Sequence, residues 1–289
     1  MIISVIEMNK KGLLGLMSLL LIAVIGLFIY LDHSNNSDLG FDSSSDLQMY
    51  FFEAGKADCT LIKQGDTVIL IDTGEIDLGS TIISFLEDND IDCIDDLILT
   101  HFDKDHIGSA AVILNTVEVK QVYTSNVPKD SSYYDNYLEA LANNGLEATI
   151  VTEEITLNAG ELMIKIEGPS KIYEKNESNN SSLITSIYYK DQSFLFTGDI
   201  QNDRIKDFIS ENNETYDLIK IPYHGHYQKQ LGKLLNNVDP QYAIITSSDE
   251  ENEDSETLSL LKEKECSYYL TRKGPVLAVS DGDTIKITQ

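Results

Sequence analysis

Apolar positions follow two regimes along this chain. Over residues 12–31 they run almost without a break, whereas from Leu47 onward they come in short runs separated by polar turns. A helical run of about 20 residues spans a hydrocarbon core of about 30 Å, so residues 12–31 read as a transmembrane signal-anchor helix. Lys10 and Lys11 precede the run and Asp32, His33 and Asp38 follow it. That asymmetry keeps residues 1–11 in the cytoplasm and sends the remainder across. The flank Tyr30-Leu31-Asp32-His33 lacks the small-x-small pattern of a cleaved signal peptide. Residues 32–46, rich in Ser, Asn and Asp, read as a polar linker, which leaves residues 47–289 for a folded domain.

Within that domain, residues 49–52, 59–62 and 67–72 carry consecutive strand patterns, with Gln64-Gly65-Asp66 turning between the last two. Residues 80–86 read as a helix, 95–100 as a strand and 109–117 as a helix. A longer helix over 133–144 has Gly145 as its stop signal. Strand patterns return at 161–166, 183–189 and 193–197, followed by a helix at 202–209 and strands at 216–221 and 242–246. A helix at 255–264 precedes final strands at 268–271, 276–279 and 284–287. Hairpin strands come first, then strand–helix units, then both again. Two mixed sheets packed together with helices outside suit that order.

Charge narrows the function classes. The chain has 21 Lys and Arg against 48 Asp and Glu, a formal charge of −27. Such a charge repels polyanions at long range. It counts against broad nucleic-acid binding, though not against a site that handles one phosphate. Cys59, Cys93 and Cys266 show neither paired metal-ligand spacing nor a disulfide framework, and read as small core residues.

Four of the five histidines sit in two short clusters. The first reads Thr100-His101-Phe102-Asp103-Lys104-Asp105-His106-Ile107-Gly108, at the end of a strand and the start of a helix. The second is His224-Gly225-His226. Imidazole and carboxylate are the ligands a hydrolytic divalent ion takes. A strand-to-helix turn is where a rigid scaffold holds such loop residues.

Five ordered landmarks carry a family resemblance: Phe52-Glu53-Ala54-Gly55-Lys56-Ala57-Asp58, a strand ending Ile71-Asp72-Thr73-Gly74, the His101-x-Asp103-x-Asp105-His106 run, Phe196-Thr197-Gly198-Asp199, and Ile219-Lys220-Ile221-Pro222-Tyr223-His224-Gly225. From about Leu47 to its C-terminus the chain resembles metallo-β-lactamase-fold hydrolases. More narrowly, it resembles the soluble metallo-hydrolase domain of the competence DNA-uptake protein ComEC and that domain's free-standing relatives. The resemblance implies an α+β fold, an αββα sandwich of two mixed sheets, and a centre for one or two divalent ions, Zn²⁺ or Mn²⁺. It implies that Asp105, His106 and His224 hold one ion. Asp199 then bridges toward a second, ligated by His101, with Asp103 either a further ligand there or a solvated loop carboxylate. Asp105, His106 and Asp199 are the catalytic candidates. Asp72 is expected to orient a ligand from behind, with Asp58 and His226 as further outer residues. Asp58 reads equally as a brace of the first turn, and His226 as an exposed neighbour of His224. Gly74, Gly108, Gly198 and Gly225 are expected to permit tight turns.

The chain departs from the wider fold in three places. No histidine stands in Asn179-Asn180-Ser181-Ser182-Leu183, where many such enzymes supply a ligand. Tyr223 replaces the first histidine of a pair. Residues 249–256 are acidic where relatives carry a His-containing stretch, and read as a solvated loop with a helix N-terminus. The first functional reading is a membrane-anchored, extracytoplasmic hydrolase whose metal-activated water cleaves a phosphodiester in nucleic acid or in a surface polymer. Ester, lactone or thioester hydrolysis on the same fold is the alternative, and a non-catalytic surface binding module is a third.

Overall fold

The computed structural model describes residues 39–289. The expected anchor over residues 12–31 lies outside the described residues, among which no helix is long and apolar enough to cross a membrane. A compact unit covers Gly40–Gln289. Phe41 packs edge-on against Phe85 at 5.5 Å between ring centroids, and its N–H donates to Asn89 Oδ1 at 2.8 Å. The last residues of the expected linker are thus packed on the domain.

Both sheets are built by the same rule. In the first, β1 (Leu47–Phe51), β2 (Thr60–Gln64) and β3 (Thr67–Ile71) form an antiparallel meander. β3 then pairs in parallel with β4 (Cys93–Leu99), which continues to β5 (Glu118–Thr124) and β6 (Ala148–Ile150). The connections carry α1 (Gly79–Asp88), α2 (Lys104–Ile107), α3 (Ala110–Thr116) and α4 (Ser132–Asn143). In the second sheet, β7 (Ile155–Ala159), β8 (Leu162–Glu167), β9 (Ile184–Tyr189) and β10 (Gln192–Phe196) are antiparallel, with the short α5 (Glu177–Asn180) between β8 and β9. Parallel pairing follows through β11 (Leu218–Lys220), β12 (Tyr242–Ile245) and β13 (Ser267–Leu270), joined by α6 (Asn202–Glu211), α7 (Leu231–Val238) and α8 (Ser255–Glu263). The chain then returns to the first sheet, where β14 (Val276–Ser280) pairs with β1 and β15 (Ile285–Thr288) closes the edge.

Parallel neighbours require crossovers, and crossovers share one hand, so each sheet's helices collect on one face. The other two faces meet. Alternation along each strand does the sorting. Ile69 and Ile71 of β3 enter the inter-sheet core together with Ile187 and Tyr189 of β9, while Leu70 is buried on the opposite face. Phe51 stacks on Phe196 across the sandwich at 6.1 Å. Leu195, Ile219 and Ala243 turn the other way, onto Ile205, Leu234 and Leu261 of the helices.

Besides the one-turn helices α2 and α5, the strands β5, β6 and β7 and the helix α7 were not expected from the pattern. β5 opens on Glu118-Val119-Lys120-Gln121, of which only Val119 is buried, and β6 and β7 end their sheets with half their side chains in solvent. β5 opens without alternation and β6 is too short to show a period, whereas β7 alternates as Ile155-Thr156-Leu157-Asn158-Ala159, so its signal was present. For α7 the signal was present: Leu231, Leu234, Leu235 and Val238 form a helical stripe, and all are buried. Cys59 and Cys266 are buried as expected, but Cys93 is only half-buried, and all three are free thiols.

Candidate metal centre

The candidate residues gather beyond the carboxyl ends of the parallel strands, where open α/β sheets leave a crevice. Asp72 follows β3, His101 follows β4, Asp199 follows β10, His224 follows β11 and Thr246 follows β12. The backbone is tightly bent there: Asp72, Tyr223 and His224 have φ values of 56°, 51° and 52°. Such left-handed conformations in non-glycine residues persist only where the surroundings hold them. Gly198 has φ +50°, and a Cβ on it would lie 2.8 Å from Ser182 Cβ and 3.0 Å from Thr100 Cβ. Gly108 differs from expectation. Its φ is −53°, so no turn freedom is needed. What it supplies is space, since a Cβ would meet Lys104 O at 2.5 Å and Glu75 Cα at 2.7 Å.

Three imidazoles and two carboxylates converge. His224 Nε2 lies 3.0 Å from Asp199 Oδ2 and 3.5 Å from Asp105 Oδ2, and His106 Nε2 lies 3.4 Å from Asp199 Oδ2. Potential ligand atoms of His101, His106 and Asp199 fall within 4.8 Å of one another, as do those of Asp105, His106 and His224. His101 Nε2, His106 Nε2, His224 Nε2 and Asp199 Oδ1 are buried and have no hydrogen-bond partner. A buried polar atom left without a partner costs about 1–3 kcal/mol. Three imidazole nitrogens left open in this way, beside the Asp199 and Asp105 carboxylates, fit a divalent cation, and the N/O donor set suits Zn²⁺ or Mn²⁺.

The opposite nitrogen of each ring is held from behind. His106 Nδ1 is 2.8 Å from Asp72 Oδ2, and Asp72 in turn accepts the Thr100 N–H at 2.8 Å and the Thr100 hydroxyl at 2.7 Å. His224 Nδ1 is 3.2 Å from the Thr246 carbonyl and 3.5 Å from Asp58 Oδ1. His101 Nδ1 faces Thr100 Oγ1 at 3.2 Å and Ser182 Oγ at 3.3 Å. The Ser182 hydroxyl also accepts the Asp199 N–H at 3.1 Å. Such contacts fix ring orientation and tautomer.

Charge alternates through the cluster. Burial, reinforced by neighbouring His106, pushes the His101 imidazole down to about 3. Burial works against a charged His224 as well, yet Asp199, Asp105 and Asp58 push it up to about 10. Burial disfavours the Asp199 and Asp105 carboxylates, but the adjacent His224 and His106 hold both well below the usual range. For Asp72, burial outweighs the pull of His106 and raises the carboxyl.

Asp58, Asp103 and His226 each had two readings in the sequence. The Asp58 backbone braces the first turn, its N–H donating to Asp105 O at 3.0 Å. Its buried carboxylate does more, bonding Lys220 Nζ and accepting from Thr246 Oγ1 at 2.5 Å. Asp103 belongs to none of the ligand clusters. It lies 3.9 Å from His101 Nε2, and its carboxylate is taken by Lys129 Nζ at 2.5 Å and by the Ser178 hydroxyl. His226 also stays out of these clusters, with Nδ1 3.7 Å from Asp254 and its ring against Tyr223. Lys220 had no assigned role. Its signal was a lysine set within the apolar run Leu218-Ile219-Lys220-Ile221, where a buried charge must find a partner.

The acidic segment is not simply solvated. Glu253 is buried, and its carboxylate accepts from Ser247 at 2.7 Å and from two Arg272 nitrogens at 3.1 Å. Glu251 pairs with Lys56 at 2.8 Å. Beside the centre, a groove of about 530 Å³ reaches Asp105 and is lined by Glu53, Lys56, Glu75, Lys104 and Glu251 among others. Both lysines are already paired, Lys104 with Glu75 at 3.0 Å.

This geometry has counterparts. The chain is 27% identical over 224 residues to ComE operon protein 3 of Bacillus subtilis (strain 168), covering 67% of this chain and 28% of that one. It is also 27% identical over 207 residues to Recombination protein 2 of Haemophilus influenzae (strain ATCC 51907 / DSM 11121 / KW20 / Rd), covering 69% and 24%. It thus spans about a quarter of the length of these relatives. Among solved structures, the metallo-beta-lactamase fold protein YhfI from Bacillus subtilis shares the fold with a TM-score of 0.52 at 13% identity, over 84% of this chain and 100% of that one. The family model of the metallo-beta-lactamase superfamily matches residues 53–247, from the opening Glu53 through every clustered side chain to Ser247, and the chain belongs to that superfamily.

Proposed function

We propose that the chain is a metal-dependent hydrolase of a phosphodiester, held at the cell membrane by residues 12–31 with its domain outside the cytoplasm. The observation that carries the reading is the set of unpartnered buried atoms on His101, His106, His224 and Asp199. Asp105, His106, Asp199 and His224 would hold an ion, with His101 next to them against His106 and Asp199. A bound divalent ion supplies Lewis acidity and makes water acidic enough to attack near neutral pH. The rest is done by the chain. Asp72, Asp58, Thr246 and Ser182 keep the three Nε2 atoms aimed inward. Asp105 is the most exposed carboxylate of the cluster at 18% and faces the groove, so it joins the ion's locus to the space a substrate would fill.

The groove favours a small diester, or a diester in a surface polymer, over a nucleic-acid duplex. Duplex binding draws on free Lys and Arg contacts to phosphates, and the groove's two lysines are committed to Glu251 and Glu75. The test is hydrolysis of bis(p-nitrophenyl) phosphate by the purified chain with Mn²⁺ or Zn²⁺. Turnover that needs the ion and disappears in Asp105→Ala supports the reading. Absence of turnover with a loaded ion transfers the assignment to ester or lactone substrates. Membrane topology is tested separately: protease added to wall-stripped cells with intact membranes should remove the domain.

A further inference from the structure

The geometry points to a centre for one divalent ion, in which the Lys129 ammonium occupies the Asp103 position in place of a second ion. Asp105, His106 and His224 form one ligand set, and His224 Nε2 and His106 Nε2 both approach Asp199 Oδ2, at 3.0 and 3.4 Å, so these four side chains surround one locus. They satisfy the coordination of a single Zn²⁺ or Mn²⁺, and His101 joins His106 and Asp199 but no set that holds Asp105 or His224. A second ion would have to draw on His101 and Asp103. Asp103 is in none of the clusters, and its carboxylate is already neutralised by Lys129 at 2.5 Å and bonded by Ser178.

The segment that could add another ligand does not. Ser182 stands at Nδ1 of His101, on the side of the ring away from Nε2, and is bonded to the Asp199 N–H. It orients the ring. Lys129 arrives from the loop between β5 and α4, directly after Pro128, whose fixed φ stiffens the approach. A cation entering beside this ammonium meets like charge. The Lys129 side chain remains 37% exposed.

The test counts ions. The purified full chain is stripped with chelator and dialysed against excess Mn²⁺ or Zn²⁺, and bound metal per chain is measured by elemental analysis. One ion per chain is expected in the parent and in Lys129→Arg. Lys129→Ala frees Asp103 and should raise the count to two, and adding Asp103→Asn to that variant should return it to one. Circular dichroism shows whether each variant is folded. Two ions in the parent, or one in folded Lys129→Ala, would overturn the inference. Should Lys129→Ala fail to fold, Asp103→Asn alone decides: a count of one supports the inference, and a fall from two to one sinks it. No bound ion overturns the metal centre altogether. One bound ion without phosphodiester turnover rejects only the substrate reading.

Discussion

Lys220→Met should destabilise the fold through Asp58. Lys220 is 3% exposed, and its ammonium bonds Asp58, lies 3.2 Å from Gly198 O and stands 3.8 Å from Asp199 Oδ1. Burial alone would lower its pKa, but Asp58 and Asp199 raise it, so the charge is retained inside. Methionine preserves most of the volume and leaves the Asp58 carboxylate buried beside Thr246 and His224. Breaking one side of a buried pair costs about 3–5 kcal/mol. The Thr246 hydroxyl and His224 ring still support Asp58, which places the loss near the lower end, about 3 kcal/mol. At ~2–4 °C per kcal/mol for a domain of this size, the melting midpoint falls by about 6–12 °C. The assay is urea and thermal unfolding of chelator-treated protein, because bound metal would add its own stabilisation. Lys220→Met, Asp58→Asn and the double variant complete a cycle. A coupling of about 2 kcal/mol is expected between them. A single-variant loss below about 1 kcal/mol, the scale of an exposed pair, or an additive cycle, would refute the reasoning.

Asp72→Asn weakens the support of His106 and should lower Zn²⁺ or Mn²⁺ affinity by about 10–100-fold in chelator competition, with the fold retained; unchanged affinity would remove Asp72 from the centre. Gly108→Ala forces a methyl against Lys104 O and Glu75 Cα and should cost about 1–3 kcal/mol in denaturant unfolding, whereas a neutral result would mean that the turn can open. Burial disfavours the charged Glu253, but Arg272 and Ser247 hold its carboxyl below the ordinary 4.5. Its contribution to stability is therefore present above that pH and lost as pH falls through the folded value. Glu253→Gln should melt lower than the parent at pH 7, with the difference shrinking on acidification below about pH 4; a gap that stays constant with pH would show that charge is not its cause.

The sandwich was legible because burial writes itself into local periodicity. Residues 67–72 and 193–197 needed only their short apolar runs bounded by polar residues to be read as strands, and 202–209 only its helical spacing. The edge strand β6 was not legible because three residues are too few to show a period, whereas β7 carried a readable alternation over Ile155–Ala159. His101, Asp105 and His106 were legible together because six consecutive residues at a strand-to-helix turn cannot separate far in space. The chain alone therefore determined its class, its layers and the place of its chemistry. Tertiary structure decided which side chains meet. Lys220 reaches Asp58 from 162 residues away and Thr246 from 188, pairings made only when the strand ends of two sheets face one crevice. Asp103 turned to Lys129 and Ser178 instead of joining the cluster, and His226 turned to Asp254 while His224 faced inward. A sequence motif sets the order of such groups along the backbone. Their partners are set by packing, because the energy of a buried charge depends on what stands within a few ångströms of it.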